Sequence, residues 1–330
     1  MAAIIYENKI CPALPGETVL DTLLRHGVSI SFSCKRGVCQ ACLLKCERGE
    51  VTEAAVYGLK ASWQNQGYFL SCQCPATSAL TVSPAEDRPA VFRYTVAGKT
   101  WLAPSIVQLM LRPISGAETM KCVAGQHLNL QIDNLSRTYS IANVSAEDHL
   151  LELHIKVLAD GAFSQHLVTD VDVGSEVRVQ GPMGNCSYSA DIDNMDILCL
   201  GIGVGLAPLL GVIRDALRKG HERKISLLHG VRDQGGVYAV DELDALCRQH
   251  PNFTYQIAVL EAVTTEQAAL QSTRAVTGDI YQLFASQLQE PSRTAVFLCG
   301  SASFVAKMQK QLFFRGVRRS AIFVDALQAS

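Results

Sequence analysis

Ser33-Cys34-Lys35-Arg36-Gly37-Val38-Cys39-Gln40-Ala41-Cys42 sets three cysteines at the spacing C-x4-C-x2-C, and Leu70-Ser71-Cys72-Gln73 adds a fourth after 29 intervening residues. Four thiolates at this spacing suit a 2Fe–2S cluster, because a tight loop must wrap two irons and aim backbone N–H groups at the sulfurs. Gly37 suits such a loop, since it turns freely and lets the backbone come close. Cys34, Cys39, Cys42 and Cys72 are therefore the candidate metal ligands. A structural zinc site and a set of buried thiols are the competing readings, although zinc sites favour paired short spacings and often histidine. Cys74 is the rival to Cys72, and Cys46 reads as a small buried residue.

The rest of the chain agrees with a metal centre confined to its first quarter. Seven of the 12 cysteines precede Pro75. A secreted disulfide scaffold is normally a small domain short of core, whereas this chain has 330 residues, 48% of them hydrophobic, enough for two or three domains. A net charge of −2 with no basic stripe argues against a nucleic-acid partner. No stretch reaches the roughly 18 consecutive apolar residues of a membrane span. The N-terminal residues lack the charged start and long apolar run of a signal peptide, so a cytoplasmic location is expected.

Three segments follow from periodicity. In residues 1–88, Ile4 and Ile5 start a strand, and Glu17 to His26 reads as a helix with Val19, Leu20, Leu23 and Leu24 on one face and Gly27 as its stop. A polar, proline-bearing stretch from Ser83 to Pro89 is a plausible linker. Residues 89–190 alternate as short strands, at 91–95, 106–112, 127–132, 150–157 and 176–180, with helical pattern only after Gly161, which favours a small antiparallel barrel. Residues 191–330 alternate strand and helix, with apolar strands at 197–200, 225–229, 255–260, 295–299 and 322–324, as in a parallel sheet covered on both faces.

The second and third segments each carry a ligand-binding pattern. Arg137-Thr138-Tyr139-Ser140 offers an arginine fork for a phosphate, a tyrosine on the same strand face two residues on, and a hydroxyl next to it. An ordinary surface strand is the bland alternative. Gly201-Ile202-Gly203-Val204-Gly205-Leu206-Ala207-Pro208 follows an apolar strand and opens a helix, which suits the close approach of a pyrophosphate or merely tight strand–helix packing. Cys299-Gly300-Ser301 closes a later strand.

On these motifs the chain resembles the reductase components of bacterial oxygenases, in which an N-terminal plant-type ferredoxin domain is fused to a ferredoxin–NADP reductase-like module. The cysteine loop with Leu70-Ser71-Cys72-Gln73, the R-x-Y-S strand, His154-Ile155-Lys156-Val157, Gly161-Ala162-Phe163-Ser164, G-x-G-x-x-P at Gly203 to Pro208 and Cys299-Gly300 occur in the family's order. The resemblance implies a multidomain protein: an α+β β-grasp ferredoxin over 1–88, an antiparallel β-barrel flavin domain over 89–190 and an α/β parallel-sheet nucleotide domain over 191–330. It implies FAD rather than FMN, a 2Fe–2S cluster and NADH. It favours Cys72 as fourth cluster ligand. It places Arg137, Thr138, Tyr139, Ser140, His154, Ile155, Lys156, Gly161 and Ser164 at the flavin, with a pyrophosphate at the helix start after Gly161. Gly203, Gly205, Pro208, Cys299 and Gly300 are placed at the nicotinamide nucleotide, and Ser140 and Cys299 are the candidate catalytic pair.

Electrons are then expected to pass from NADH through FAD to the cluster, and on to an oxygenase component or separate electron carrier. A reductase for a non-oxygenase acceptor and a slow flavin/NADH redox sensor are the alternatives. The first 88 residues hold eight Lys+Arg and eight Asp+Glu, so docking through shape or local patches is expected. Four places depart from the family pattern: Gln40 replaces a common glycine, Val204 a common threonine, Ser301-Ala302 a common proline-containing pair, and Leu327 an aromatic residue expected near the flavin. Arg232-Asp233, after the second nucleotide-domain strand, is where the adenosine ribose is expected. Asp233 would repel a 2′-phosphate and favour NADH if it points inward.

Overall fold

The computed structural model describes residues 2–327 apart from 31, 33, 34, 36, 38, 39, 58, 60, 86–89, 144–149 and 262–273. The candidate ligands Cys34 and Cys39, and the second half of the expected linker, lie outside the described residues. The chain divides into two compact units, Met1–Val91 with Asn129–Thr138, and Phe92–Leu128 with Tyr139–Ser330.

In the first unit, β1 (Ala3–Tyr6), β2 (Lys9–Pro12), β3 (Leu43–Arg48), β4 (Tyr68–Leu70) and β5 (Leu80–Pro84) form a sheet in the order β2-β1-β5-β3-β4. Only the β1–β5 pairing is parallel; the other pairings are antiparallel. Helix α1 (Val19–Arg25) starts where Thr18 caps it, its hydroxyl accepting the Asp21 N–H at 3.1 Å. Its apolar face, Val19, Leu20 and Leu23, is buried in one core with Ile4, Leu43, Leu44 and Phe69. A mixed sheet gripping one helix is the β-grasp arrangement. Two short helices, α2 (Glu53–Val56) and α3 (Ala61–Asn65), fill the loop before β4.

Six strands make the second sheet: β6 (Val91–Ala103), β7 (Ile106–Pro113), β8 (His127–Ile132), β9 (Leu135–Ser140), β10 (Leu151–Lys156) and β11 (Glu176–Met183), in the order β10-β7-β6-β11-β8-β9. An isolated bridge pairs Ile141, one residue past β9, with Leu153 of β10, and the Ala142 N–H donates to the Glu152 carbonyl at 2.8 Å. That contact joins the two edges of the sheet and curls it into a barrel. Helix α4 (Ala162–Thr169) follows β10.

The last segment is a parallel sheet, β12 (Asp196–Ile202), β13 (Ile225–Val231), β14 (Phe253–Val259), β15 (Ala275–Thr277), β16 (Thr294–Ser301) and β17 (Ile322–Leu327), in the order β15-β14-β13-β12-β16-β17. Helix α5 (Leu206–Arg218) and α6 (Val240–Gln249) contribute to the core on one face. The other face is covered by α7 (Ile280–Gln287) and α8 (Ala302–Phe314), through Phe284, Phe304, Met308 and Leu312. The chain reverses its direction of travel across the sheet between β12 and β16, so the crevice at their carboxyl ends is where ligands are expected. The Phe297 and Phe323 rings stack 4.8 Å apart and tie β16 to β17.

No helix among the described residues is long and apolar enough to cross a membrane.

Candidate functional site

Two of the four candidate cluster ligands are described, and the local geometry connects their segments. Ser71 donates its hydroxyl to the Cys42 carbonyl at 2.8 Å, and its backbone N–H reaches the same oxygen at 3.2 Å. The Gln73 amide donates to the Cys72 sulfur at 3.4 Å and to the Lys35 carbonyl at 3.0 Å, so it ties the Cys72 segment to the cysteine loop. Gly37 has φ +80°, and a Cβ there would lie 2.9 Å from the Gln73 side chain. Gln40 has φ +55°, the left-handed region where glycine rests without strain. The departure from the family pattern is accommodated by bending glutamine to glycine's conformation, at a cost of about 1 kcal/mol. Cys74 is buried, its sulfur lies 3.9 Å from the Pro75 carbonyl with the Thr52 backbone amide also beside it, and burial pushes its thiol pKa up. A thiol pair backed by a side-chain amide donor fits an iron–sulfur group.

In the second unit, the glycine-rich turn and the Cys299 strand end are pressed together. A Cβ on Gly205 would sit 2.3 Å from the Cys299 carbonyl oxygen, so only glycine fits there. Gly203 has φ +55° with open space where a Cβ would be. Its carbonyl accepts Nε2–H of His229 at 2.9 Å. His229 is fully buried, and desolvation holds its pKa down at about 4, so the ring is neutral and carries its proton on Nε2. Pro208 occupies the first turn of α5, as expected.

Ser140, Asp325 and Cys299 converge beside this turn. The Ser140 hydroxyl donates to Asp325 Oδ2 at 2.5 Å, and both residues are buried. Asp325 lies opposite Cys299 in the β16–β17 register. Burial pushes the Cys299 thiol well up, and Cys186 sits 3.8 Å from its sulfur. Sequence reading paired Ser140 with Cys299 and left Asp325 out, although the acid ending the last strand was its signal. Tyr139 packs at 5.6 Å against Phe163. Arg137 donates to the Ser136 carbonyl at 2.8 Å.

A cavity of about 640 Å³ opens at the carboxyl ends of the strands. Gly203, Val204 and Ser301 line it near the switch point, Lys156 and Leu327 also border it, and Arg232 and Glu261 stand at the ends of β13 and β14. Its size and the open side of Gly203 fit a nucleotide. Asp233 is not among the lining residues; the acid beside Arg232 is Glu261, because Glu261 N–H donates to the Arg232 carbonyl at 2.8 Å and aligns the two strand ends. The His154 imidazole is engaged within the protein: Nε2 donates to Glu152 at 2.8 Å and Nδ1 lies 3.4 Å from the Tyr238 hydroxyl. Ile155 is likewise fully buried in the core. Ser164 is also turned inward, its hydroxyl accepting the Leu158 N–H and donating to the Gly161 carbonyl.

One buried network was not foreseen. Glu152 accepts from His154, from Gln108 at 2.9 Å and from Arg214 at 3.0 Å. Arg214 also reaches the Ala142 carbonyl at 2.7 Å and Glu242 at 2.6 Å. Burial pushes the Glu152 carboxyl up, but the His154 hydrogen bond and the Arg214 charge outweigh it and hold its pKa at about 2. Residues 108, 142 and 152 belong to the barrel and 214 and 242 to the nucleotide segment, too far apart in sequence for any spacing rule.

A cysteine segment suited to iron and sulfur, a curled flavin-type barrel and a parallel sheet with a nucleotide cavity define an iron–sulfur flavoprotein oxidoreductase. Family comparisons agree: residues 5–77 match a 2Fe-2S iron-sulfur cluster binding domain, 93–188 an oxidoreductase FAD-binding domain and 199–310 an oxidoreductase NAD-binding domain. Reductase component 1 of terephthalate 1,2-dioxygenase from Comamonas sp is 30% identical over 265 residues, 78% of each chain. The ferredoxin–NAD(P)+ reductase component of the naphthalene 1,2-dioxygenase system from Pseudomonas putida is 28% identical over 97% of this chain and 96% of that one. The crystal structure of the Amycolatopsis cytochrome P450 reductase GcoB superposes with a TM-score of 0.70 at 25% identity, covering 100% of this chain and 99% of that chain. The chain belongs to the family of bacterial oxygenase reductase components, with a plant-type ferredoxin domain ahead of a ferredoxin–NADP reductase-like FAD/NADH module.

Proposed function

We propose that this chain is a cytoplasmic reductase that takes electrons from NADH and delivers them, by way of FAD and its own 2Fe–2S cluster, to an oxygenase component. Its segments are 1–88 for the cluster, 89–190 for FAD and 191–330 for NADH. The observation that carries the reading is the Ser140–Asp325 hydrogen bond beside Cys299 and the nucleotide turn, because it joins the flavin strand to the nucleotide sheet at its switch point. When bound, FAD and the cluster supply hydride acceptance and one-electron delivery, while the protein binds and orients.

The chain's residues divide that work. Cys34, Cys39, Cys42 and Cys72 hold the cluster. Arg137 pairs with a flavin phosphate, Thr138 and Tyr139 flank the flavin, and the start of α4 after Gly161 receives the pyrophosphate on its backbone amides, with Ser164 shaping the turn. Ser140 donates to Asp325, which leaves its oxygen as an acceptor toward the ring. Gly203 and Gly205 let the nucleotide approach, His229 fixes the Gly203 carbonyl, and Cys299 with Gly300 forms the nicotinamide end. Anaerobic titration of the purified holoprotein with NADH tests the whole: flavin and cluster absorption should bleach together. Bleaching of the flavin alone would sink the reading.

Replacing Arg137 by alanine should weaken FAD binding by about 1.5–3 kcal/mol, roughly 10–100-fold, the worth of a charge-assisted hydrogen bond, while iron content stays at the parental value. Flavin release on dilution, followed by fluorescence, measures this, and undiminished affinity would remove Arg137 from the phosphate site. Leu327 borders the cavity, at the position where the family resemblance leads one to expect an aromatic residue. Leucine shields a ring but cannot stack on it, and stacking adds about 0.5–1.5 kcal/mol beyond burial. Leu327→Phe should therefore compete with nicotinamide and slow formation of the NADH–flavin complex in stopped flow. An unchanged rate would make the position structural.

A further inference from the structure

The mouth of the nucleotide cavity carries one ion pair that the reading above leaves without a role. Arg232 and Glu261 stand at the carboxyl ends of adjacent strands and both line the cavity. Two backbone bonds hold their strand ends in line, Leu260 N–H to the Val231 carbonyl at 3.0 Å and Glu261 N–H to the Arg232 carbonyl at 2.8 Å. Across this frame Arg232 Nε donates to Glu261 Oε1 at 3.0 Å. The side chains are 78% and 56% exposed. A pair that open contributes little to stability, so its placement on a ligand cavity calls for a different explanation from folding.

Building on the NADH reading, we propose that Glu261 is the residue that selects NADH over NADPH, by occupying the Arg232 guanidinium and setting a negative charge at the adenosine end of the cavity. A lone arginine there would be a ready partner for a 2′-phosphate, because its planar fork matches phosphate oxygens. With the carboxylate on Nε, that attraction is partly cancelled, and an incoming phosphate of roughly −1.5 to −2 charge meets a like charge. A ribose 2′-hydroxyl carries no charge and can donate a hydrogen bond to a carboxylate, so NADH suffers no such penalty. Asp233 does not line the cavity. It precedes the short 3-10 turn Gln234–Gly236, and its carbonyl accepts the Gly236 N–H at 3.1 Å.

The test is a binding measurement on the oxidised, FAD- and cluster-loaded protein, which needs no turnover. Isothermal titration with 5′-AMP and with 2′,5′-ADP, at one fixed low ionic strength, gives the penalty for the 2′-phosphate directly. In Glu261→Gln the affinity for 2′,5′-ADP should rise about tenfold or more, as expected when one charge is removed within a few ångströms of a doubly charged group, with 5′-AMP little changed. Adding Arg232→Gln to that variant should abolish the gain, and 150 mM salt should shrink it. Asp233→Asn should keep the parental ratio. The kcat/KM ratio of NADPH to NADH should move with the binding ratio. If Glu261→Gln leaves the ratio unaltered, or Asp233→Asn shifts it instead, the assignment to Glu261 is overturned while the nucleotide cavity stands. If the parent binds neither nucleotide, the cavity reading falls and the proposal with it.

Discussion

Alanine at position 72 should strip the protein of most of its iron and acid-labile sulfide, whereas alanine at position 74 should leave both in place. The two cysteines are separated by one residue and are equally hidden, at 5% and 1% exposure, so burial does not choose between them. Their neighbours do. The Cys72 sulfur faces the Gln73 amide, the same amide that binds the Lys35 carbonyl in the cysteine loop. A donor aimed at a sulfur stabilises a thiolate and suits a cluster ligand. The Cys74 sulfur lies near the Pro75 carbonyl, an acceptor, and although the Thr52 backbone amide also faces it, burial outweighs that donor and favours the neutral thiol. Its backbone carbonyl accepts the Val19 N–H at 2.8 Å at the start of α1, which commits it to the packing of the helix. Iron and sulfide analysis of both variants, with the cluster's visible absorption, checks the result. A normal cluster in the Cys72 variant together with loss in the Cys74 variant would reverse the assignment. Because Cys74→Ala shortens a buried side chain, its circular dichroism should be compared with the parent first.

The second large effect is expected at Arg214. Arg214→Met should destabilise the protein by about 3–5 kcal/mol, because it leaves Glu152 as an uncompensated buried charge. The cost has a pH signature. In the parent, Glu152 has its pKa held down at about 2, so its contribution is fully present above the ordinary carboxylate range near 4.5 and is lost as pH falls through about 2. Without Arg214 the carboxyl takes up its proton at higher pH and becomes neutral, so the gap between parent and variant should narrow as pH falls from 7 towards 4. The double variant Arg214→Met, Glu152→Gln should recover much of the loss. Urea unfolding at several pH values decides it, and a gap independent of pH would mean that Arg214 acts only through Glu242 and the Ala142 carbonyl. The contact also bears on function, since Arg214 lies on the helix opened by the nucleotide turn and grips the segment two residues past Ser140. Gly211, one turn earlier, makes that grip possible: a Cβ there would lie 2.9 Å from the Ala124 Cβ and 3.0 Å from the Ile141 carbonyl oxygen.

The amino-acid sequence by itself determined the order of the three segments and, for the second and third, their fold classes, because periodicity of two or 3.6 and glycine-marked turns are local properties of the chain; the β-grasp class of the first followed from the family resemblance. The helix after Thr18, the parallel strands ending at Gly201 and Cys299 and the cysteine spacing were all legible for that reason. The tertiary structure alone decided which side chains meet. Asp325 joins Ser140 across 185 residues, Glu261 rather than Asp233 reaches Arg232, and His154 turns to Glu152 and Tyr238. Each outcome depends on strand order and on how two strand ends align in space. Side-chain chemistry read along one strand cannot supply that, because the partner's position is set by a sheet whose neighbours are far apart in sequence.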